Sequence, residues 1–177
     1  MARRKPRLFA FSREIEVAWF DEWVSDPAVR KVLEDVVDAF AAVCATQQLP
    51  RQQLEPIANA AEHPDQAVRG FAVTRLSVLA HYFSSVNPVF EHLVAHPDPD
   101  VRRNACTALA NAPPELAAAL LDRALDDASW TVRKAAAQVS GAIPIDGLLE
   151  VIARHRRSER DARVRVLLDQ AVDVQRR

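Results

Sequence analysis

Glutamate and histidine recur as neighbours in two places, and such pairs could bind a metal ion. The pairs stand at residues 62–63 and 91–92, and His96 lies one helical turn after the second pair. Imidazole and carboxylate groups are common ligands of transition metals. Only two pairs occur, however, and His63 and His96 each directly precede a proline. We therefore interpret both histidines as turn residues and predict no metal site.

Other catalytic chemistry finds little support in the sequence. The 177 residues include only three glycines, and the sequence contains no GxGxxG, GxxxxGK[ST] or GxSxG motif. Loops that hold phosphate need several glycines, because only glycine lets the backbone approach a phosphate closely. No Ser/His/Asp or Cys/His arrangement stands out. The sequence predicts a protein that is not an enzyme, with no cofactor and no evident small-molecule substrate.

The two cysteines and the start of the chain suggest a location. Cys44 and Cys106 stand in apolar helical stretches and not in a CxxC pair, which is typical of reduced core thiols. The basic N-terminus is not followed by an apolar segment of signal-peptide length, and no apolar run has the ~18 residues of a membrane span. We expect a soluble cytoplasmic protein without membrane contact.

Positive charge is concentrated at both ends of the chain. The net charge of −1 is the sum of +4 over residues 1–7, −9 over residues 8–153 and +4 over residues 154–177. Arginine and lysine side chains at these ends could contact phosphate or an acidic partner. The candidates are Arg3, Arg4, Lys5, Arg7, Arg154, Arg156 and Arg157.

A Val-Arg dipeptide recurs five times with the same surroundings. We call its valines the repeat valines, and they are Val29, Val68, Val101, Val132 and Val164. Their spacings are 39, 33, 31 and 32 residues, and an aspartate or serine suited to cap a helix stands three residues before each. Apolar residues follow at helical spacing. Each copy therefore predicts the start of an amphipathic helix, which we call helix B.

Another apolar helix, helix A, is predicted ahead of each helix B, at about 12–24, 51–62, 87–95, 114–125 and 146–155. A single helix pair cannot bury its apolar face alone, so neighbouring pairs must stack. The predicted fold is an all-α, right-handed α-solenoid of about five helix pairs. Residues 1–11 are predicted to be a basic arm and 12–177 a single domain, with repeats at about 12–46, 51–83, 87–112, 114–143 and 146–175.

The D-x-x-V-R pattern, with a small residue four positions later, resembles the HEAT-repeat family of α-solenoids. The resemblance covers about residues 12–175. It implies a ladder in which the aspartates and arginines of successive repeats contact one another. The residues at the ladder positions are Asp26, Arg30, Asp65, Arg69, Asp98, Arg102, Arg133, Asp161 and Arg165. Ser129 replaces the aspartate in the fourth copy, so the ladder could break there.

The resemblance also implies that the B helices line a concave face. Positions two, five, six and nine residues after each repeat valine are expected to point away from the core. In the central repeats these residues are small or weakly polar, which leaves room for a helix or an extended peptide. The partner-binding candidates are Thr74, Arg75, Arg103, Thr107, Lys134 and Gln138.

These patterns favour a scaffold or adaptor that binds a protein partner on the concave face. The alternative is nucleic-acid binding through the basic arm and the Arg-rich last repeat, although an acidic body separates the two. HEAT-like DNA glycosylases use concave aromatic residues, and Trp130 near Asp126 invites that comparison. The predicted face has no aromatic cluster, so glycosylase activity is a remote alternative.

Trp19 and Trp23 are expected in the core of the first repeat.

Overall fold

The computed structural model of the protein describes residues 11–176. Within this range the chain forms ten α-helices and short 3₁₀ helices at Ser84–Val86 and Leu109–Asn111. The helices are α1 (Arg13–Trp23), α2 (Pro27–Thr46), α3 (Arg51–Ala60), α4 (Gln66–Ala80), α5 (Asn87–Leu93), α6 (Pro99–Ala108), α7 (Pro114–Leu125), α8 (Trp130–Ser140), α9 (Leu148–Ser158) and α10 (Ala162–Gln175). Helices A are odd-numbered and helices B are even-numbered. None of the described helices is long and apolar enough to cross a membrane.

The B helices begin where the caps predict. The side chains of Asp26, Asp65, Asp98 and Asp161 each accept a hydrogen bond from a backbone N–H in the first turn of their helix. These bonds satisfy N–H groups that have no partner inside the helix. Ser129 occupies the same position before α8, but its hydroxyl bonds to the Thr131 hydroxyl instead and does not cap the helix.

The chain divides into two compact units, Met1–Val86 and Asn87–Arg177. The largest fully buried side chains of unit 1 are Phe20, Leu33, Phe40, Ile57, Leu76 and Leu79. Those of unit 2 are Phe90, Leu93, Leu109, Leu121, Leu148 and Ile152. Each such side chain contributes about 1.5–3 kcal/mol by leaving water. Each unit therefore has its own apolar core, whereas the sequence predicts a single repeat domain.

Helix α1 buries less than the sequence predicts. Ile15, Trp19 and Trp23 are 66%, 68% and 48% exposed, and Phe20 is the residue of α1 that is buried. The expectation that both tryptophans lie in the core is wrong. Residues at i, i+4 and i+8 share one face of a helix, but here the face that packs inward is the one that carries Phe20.

The B helices bury a wider face than expected. Val73, Cys106 and Ala137, which stand five residues after their repeat valines, are buried. Ser77, nine residues after Val68, is buried as well. Helix α8 shows the cause, because it packs against three helices, α6, α7 and α10. These contacts bury Ala137, whereas Gln138 at the next position is exposed.

Candidate interaction surface

Two arginines of unit 2 each join their own turn to the next repeat. Nη1 of Arg102 donates to the carbonyl oxygens of His96 and Pro97, at 2.7 and 2.9 Å. Its Nε and Nη2 donate to the two carboxylate oxygens of Asp127, at 2.7 and 2.9 Å. Parallel bonds of this kind fix both the distance and the orientation of the two groups. Arg102 therefore locks the turn before α6 to the turn before α8.

Arg133 repeats this arrangement one repeat later. Its Nη1 donates to the carbonyl oxygens of Asp127 and Ala128, at 2.8 and 3.1 Å. Its Nε and Nη2 donate to the carboxylate of Glu159, at 2.8 and 3.1 Å. The ladder thus continues through the fourth repeat, although Ser129 replaces the aspartate there.

The acids of this ladder also shape the turns. Asp127 accepts a bond from the backbone N–H of Ser129 at 2.7 Å, and Glu159 accepts one from Asp161 at 2.8 Å. Hydrogen bonding to Arg133 holds the pKa of Glu159 below its usual value, although burial opposes this. Burial is the largest influence on the pKa of Asp127 and raises it, but the bonds from Arg102 and Ser129 together outweigh burial and lower the pKa.

The ladder acids are different from those that the resemblance implies. Asp26, Asp65, Asp98 and Asp161 direct their carboxylates at the first turns of their own helices. The acids that pair with arginines stand two residues earlier, five residues before the repeat valine. Sequence reasoning missed them because the residue type at this position varies. The position is occupied by His63, His96, Asp127 and Glu159, each of which accepts a backbone N–H bond, but only the last two are acids.

The remaining arginines of the predicted ladder behave differently. Arg69, in unit 1, donates to the carbonyl oxygens of His63 and Pro64, and its buried Nε has no hydrogen-bond partner among the described residues. Arg30 pairs with Asp21 and Glu34, at 2.5 and 2.8 Å. Arg165, in the last repeat, is exposed.

Four of the predicted partner-binding residues lie on the B helices of unit 2. Arg103 and Lys134 stand two residues after their repeat valines and are half-buried, whereas Thr107 and Gln138 stand six residues after and are exposed. Helices α6 and α8 pack against each other, so we expect residues at equivalent positions to lie near one another. We call these four residues the B-helix face.

An aromatic residue lies beside the B-helix face. The guanidinium carbon of Arg163 lies 3.6 Å from the centroid of the Trp130 ring, and Nζ of Lys134 lies 5.9 Å from the same centroid. Cations at these distances are attracted by the negative face of an indole ring. Trp130 remains 37% exposed. The contact with Arg163, which comes from the next B helix, could not be predicted from the sequence around Trp130.

In unit 1, Thr74 is exposed and its hydroxyl donates to the carbonyl oxygen of Gly70 at 2.8 Å. Arg75 does not stand on an open face. Its guanidinium carbon lies 3.9 Å from the centroid of Phe71, and its Nη2 donates to Glu16 at 2.6 Å. The structure thus places Arg75 against α1, and Thr74 on the surface.

Basic residues of the last repeat are partly neutralised by nearby acids. Arg154 and His155 both contact the carboxylate of Asp122, the latter at 2.8 Å. Arg156 pairs with Asp169. Arg157 is exposed. The basic arm, with Arg3, Arg4, Lys5 and Arg7, lies outside the described residues.

The histidines serve the turns. Nδ1 of His63 accepts the backbone N–H of Asp65, and Nδ1 of His96 accepts that of Asp98, both at 3.1 Å. Among the residues that the structure describes, no group of three or more His, Cys, Asp or Glu side chains is placed to hold a metal ion.

Helix pairs with arginine ladders between consecutive turns define an all-helical repeat protein. Residues 86–171 match the sequence model of the family described as HEAT repeats, which supports the resemblance to that family. The match spans the Arg102 and Arg133 ladder and the B-helix face. HEAT repeats generally mediate protein interactions and are typically non-catalytic scaffolds. No curated protein matches the chain.

Proposed function

We propose that the protein is a non-catalytic scaffold of the cytoplasm that binds a segment of a protein partner on the B-helix face of unit 2. The observation that carries the proposal is the packing of α6 against α8, which we expect to bring Arg103 near Lys134 and Thr107 near Gln138. The ladder supports it, because bidentate bonds on consecutive turns fix the spacing of these helices. A rigid surface loses little entropy when a partner binds.

The chemistry of the B-helix face favours an acidic partner segment. Arg103 and Lys134 supply positive charge, and Trp130 supplies an aromatic surface held against Arg163. Arg103 is only loosely paired, at 3.3 Å, with the exposed Asp100. Exposed pairs of this kind contribute at most about 1 kcal/mol, so a partner carboxylate can replace Asp100 at small cost.

The test is affinity capture from the source organism with two charge-reversed variants. The first carries Arg103→Glu and Lys134→Glu on the B-helix face. The matched control carries Arg51→Glu and Arg123→Glu, which change the net charge equally but lie on the A helices α3 and α7. We expect a partner that the unmodified chain and the control variant capture and the face variant does not.

Affinity of the recovered partner is then measured by isothermal titration calorimetry at two salt concentrations. We expect at least a tenfold loss for the face variant and weaker binding at high salt, because exposed charges are screened. Equal affinities for the face and control variants would overturn the proposal.

A further inference from the structure

Unit 1 contains an aromatic pocket between α1 and α4. Its volume is about 430 Å³, within the 300–1,000 Å³ that is usual for sites of small ligands. Helix α1 lines it with the exposed side chains of Ile15, Trp19 and Trp23 and also with Glu16 and Phe20. Helix α4 lines it with Phe71 and Arg75. We call this site the α1 pocket.

Arg75 is the cationic group of the α1 pocket, and apolar surface surrounds it. Its side chain is 15% exposed. Its guanidinium carbon lies 3.9 Å from the centroid of Phe71 and 5.9 Å from that of Phe40. Nη2 bonds to Oε2 of Glu16 at 2.6 Å, and Glu16 is itself 32% exposed. The B-helix face lies in the other unit and plays no part in this site.

Among the described residues, the charge of Arg75 is incompletely compensated. A guanidinium has five N–H donors, and within this part of the chain the Glu16 carboxylate takes one of them. Burial lowers the pKa of Arg75, and the nearby Glu16 carboxylate does not make up for it. A buried cation is costly unless acceptors surround it, so a second carboxylate would be favourable at this place.

We propose that the α1 pocket binds an amphipathic carboxylate, in which an apolar body packs between Trp19, Trp23 and Phe71 and a carboxylate bonds to Arg75. An amine with the same body would meet the guanidinium charge. A neutral apolar ligand would cover Arg75 without giving it an acceptor. The carboxylate can come from a free aryl or alkyl acid or from the last residue of a peptide.

The test uses three probes with one apolar body: 4-phenylbutyrate, 4-phenylbutanol and 4-phenylbutylamine. Binding to the full chain is followed by the indole N–H signals of Trp19 and Trp23 in ¹H–¹⁵N NMR spectra. We expect the acid to bind about tenfold more tightly than the alcohol, because one charge-assisted hydrogen bond contributes enough free energy for about a tenfold difference in affinity. We expect the amine to bind more weakly than the alcohol.

Two variants change the affinity for the acid in opposite directions. Arg75→Gln should bring the acid to the affinity of the alcohol. Glu16→Gln, which removes the competing carboxylate from a half-exposed position, should tighten binding of the acid severalfold. The exposed pair Arg51–Glu55 provides matched controls, and Arg51→Gln and Glu55→Gln should leave all three affinities unchanged. If Arg75→Gln does not fold, the gain in Glu16→Gln still decides.

A second comparison separates the two sources of the carboxylate. N-acetyl-L-phenylalanine stands for a peptide C-terminus and 4-phenylbutyrate for a free acid, with N-acetyl-L-phenylalaninamide as the neutral control. The tighter of the two acids identifies the source. The proposal is overturned if the amine binds as tightly as the acid, if no probe shows saturable shifts, or if Glu16→Gln leaves binding of the acid unchanged.

Discussion

Replacing Glu159 by glutamine tests the ladder of unit 2 most directly. The Glu159 side chain is 5% exposed and accepts two bonds from Arg133, whose side chain is 19% exposed. Glutamine keeps one acceptor oxygen for these bonds, but its NH₂ group then faces the guanidinium, so at least one charge-assisted bond is lost. Such a bond contributes about 1.5–3 kcal/mol. Arg133 keeps two carbonyl contacts, and we expect a loss of about 2 kcal/mol.

Urea denaturation followed by circular dichroism measures this loss. With a slope of about 2 kcal/mol per M, the midpoint should fall by about 1 M. The control is Glu55→Gln, the same substitution in the exposed Arg51–Glu55 pair, which should cost less than about 0.5 kcal/mol. If the two variants lose equal stability, the ladder does not hold the repeats together as argued.

The pH dependence gives an independent check. Because hydrogen bonding to Arg133 lowers the pKa of Glu159 in the folded protein, this carboxylate contributes its full stabilisation above its unfolded pKa of about 4.3. The contribution is lost as the pH falls through the folded pKa. The difference in unfolding free energy between the unmodified chain and Glu159→Gln should therefore be constant near neutral pH and shrink below about pH 4. A difference that stays constant in acid would refute the assignment.

Three further predictions concern local features. Gly70→Ala should stabilise the protein by up to ~1 kcal/mol, because Gly70 lies inside α4 with open space where a Cβ would stand. Gly147→Ala, at a φ of +79°, should destabilise it by about 1–2 kcal/mol. Urea denaturation measures both changes, and a destabilised Gly70→Ala or a stabilised Gly147→Ala would contradict the respective prediction. Burial raises the pKa of Cys106 to about 12, so in a native thiol assay Cys44 should react first and Cys106 only after denaturant is added. Gln175→Ala should cost about 2 kcal/mol, since its side-chain amide makes three hydrogen bonds to the backbone at the end of α8 and just after it. A thermal midpoint equal to that of the unmodified chain would speak against this role.

The starts of the B helices could be predicted from sequence because their causes are local. An aspartate three residues before a repeat valine caps the helix through its own first turn, as Asp65 and Asp98 do. The acids of the ladder could not be found in this way. Asp127 and Glu159 act across 25 and 26 residues, on Arg102 and Arg133, and nothing in their immediate sequence marks that contact.

The net charge of the C-terminal segment was a poor guide to the surface charge of the last repeat, for a related physical reason. The excess of arginine after residue 153 suggested a basic patch, but Arg154 and Arg156 are paired with Asp122 and Asp169. Sequence reasoning counts charges by chain position, whereas the packing of helices decides which charges meet. A residue's availability to a partner is therefore a property of the fold and cannot be obtained from a count of charges along the chain.

The aromatic residues of α1 show the same limit for apolar side chains. Apolar residues at i, i+4 and i+8 define one face of a helix, and burial is the usual outcome for such a face. Helix α1 instead turns Phe20 inward and leaves Trp19 and Trp23 beside Arg75. Periodicity thus identifies the stripe but not its role, because an apolar stripe in a core and one beside a binding pocket have the same spacing. What distinguishes the two cases here is the Arg75 guanidinium beside the exposed face of α1. Its carboxylate partner among the described residues is Glu16, and an apolar face packed in a core has no use for such a cation.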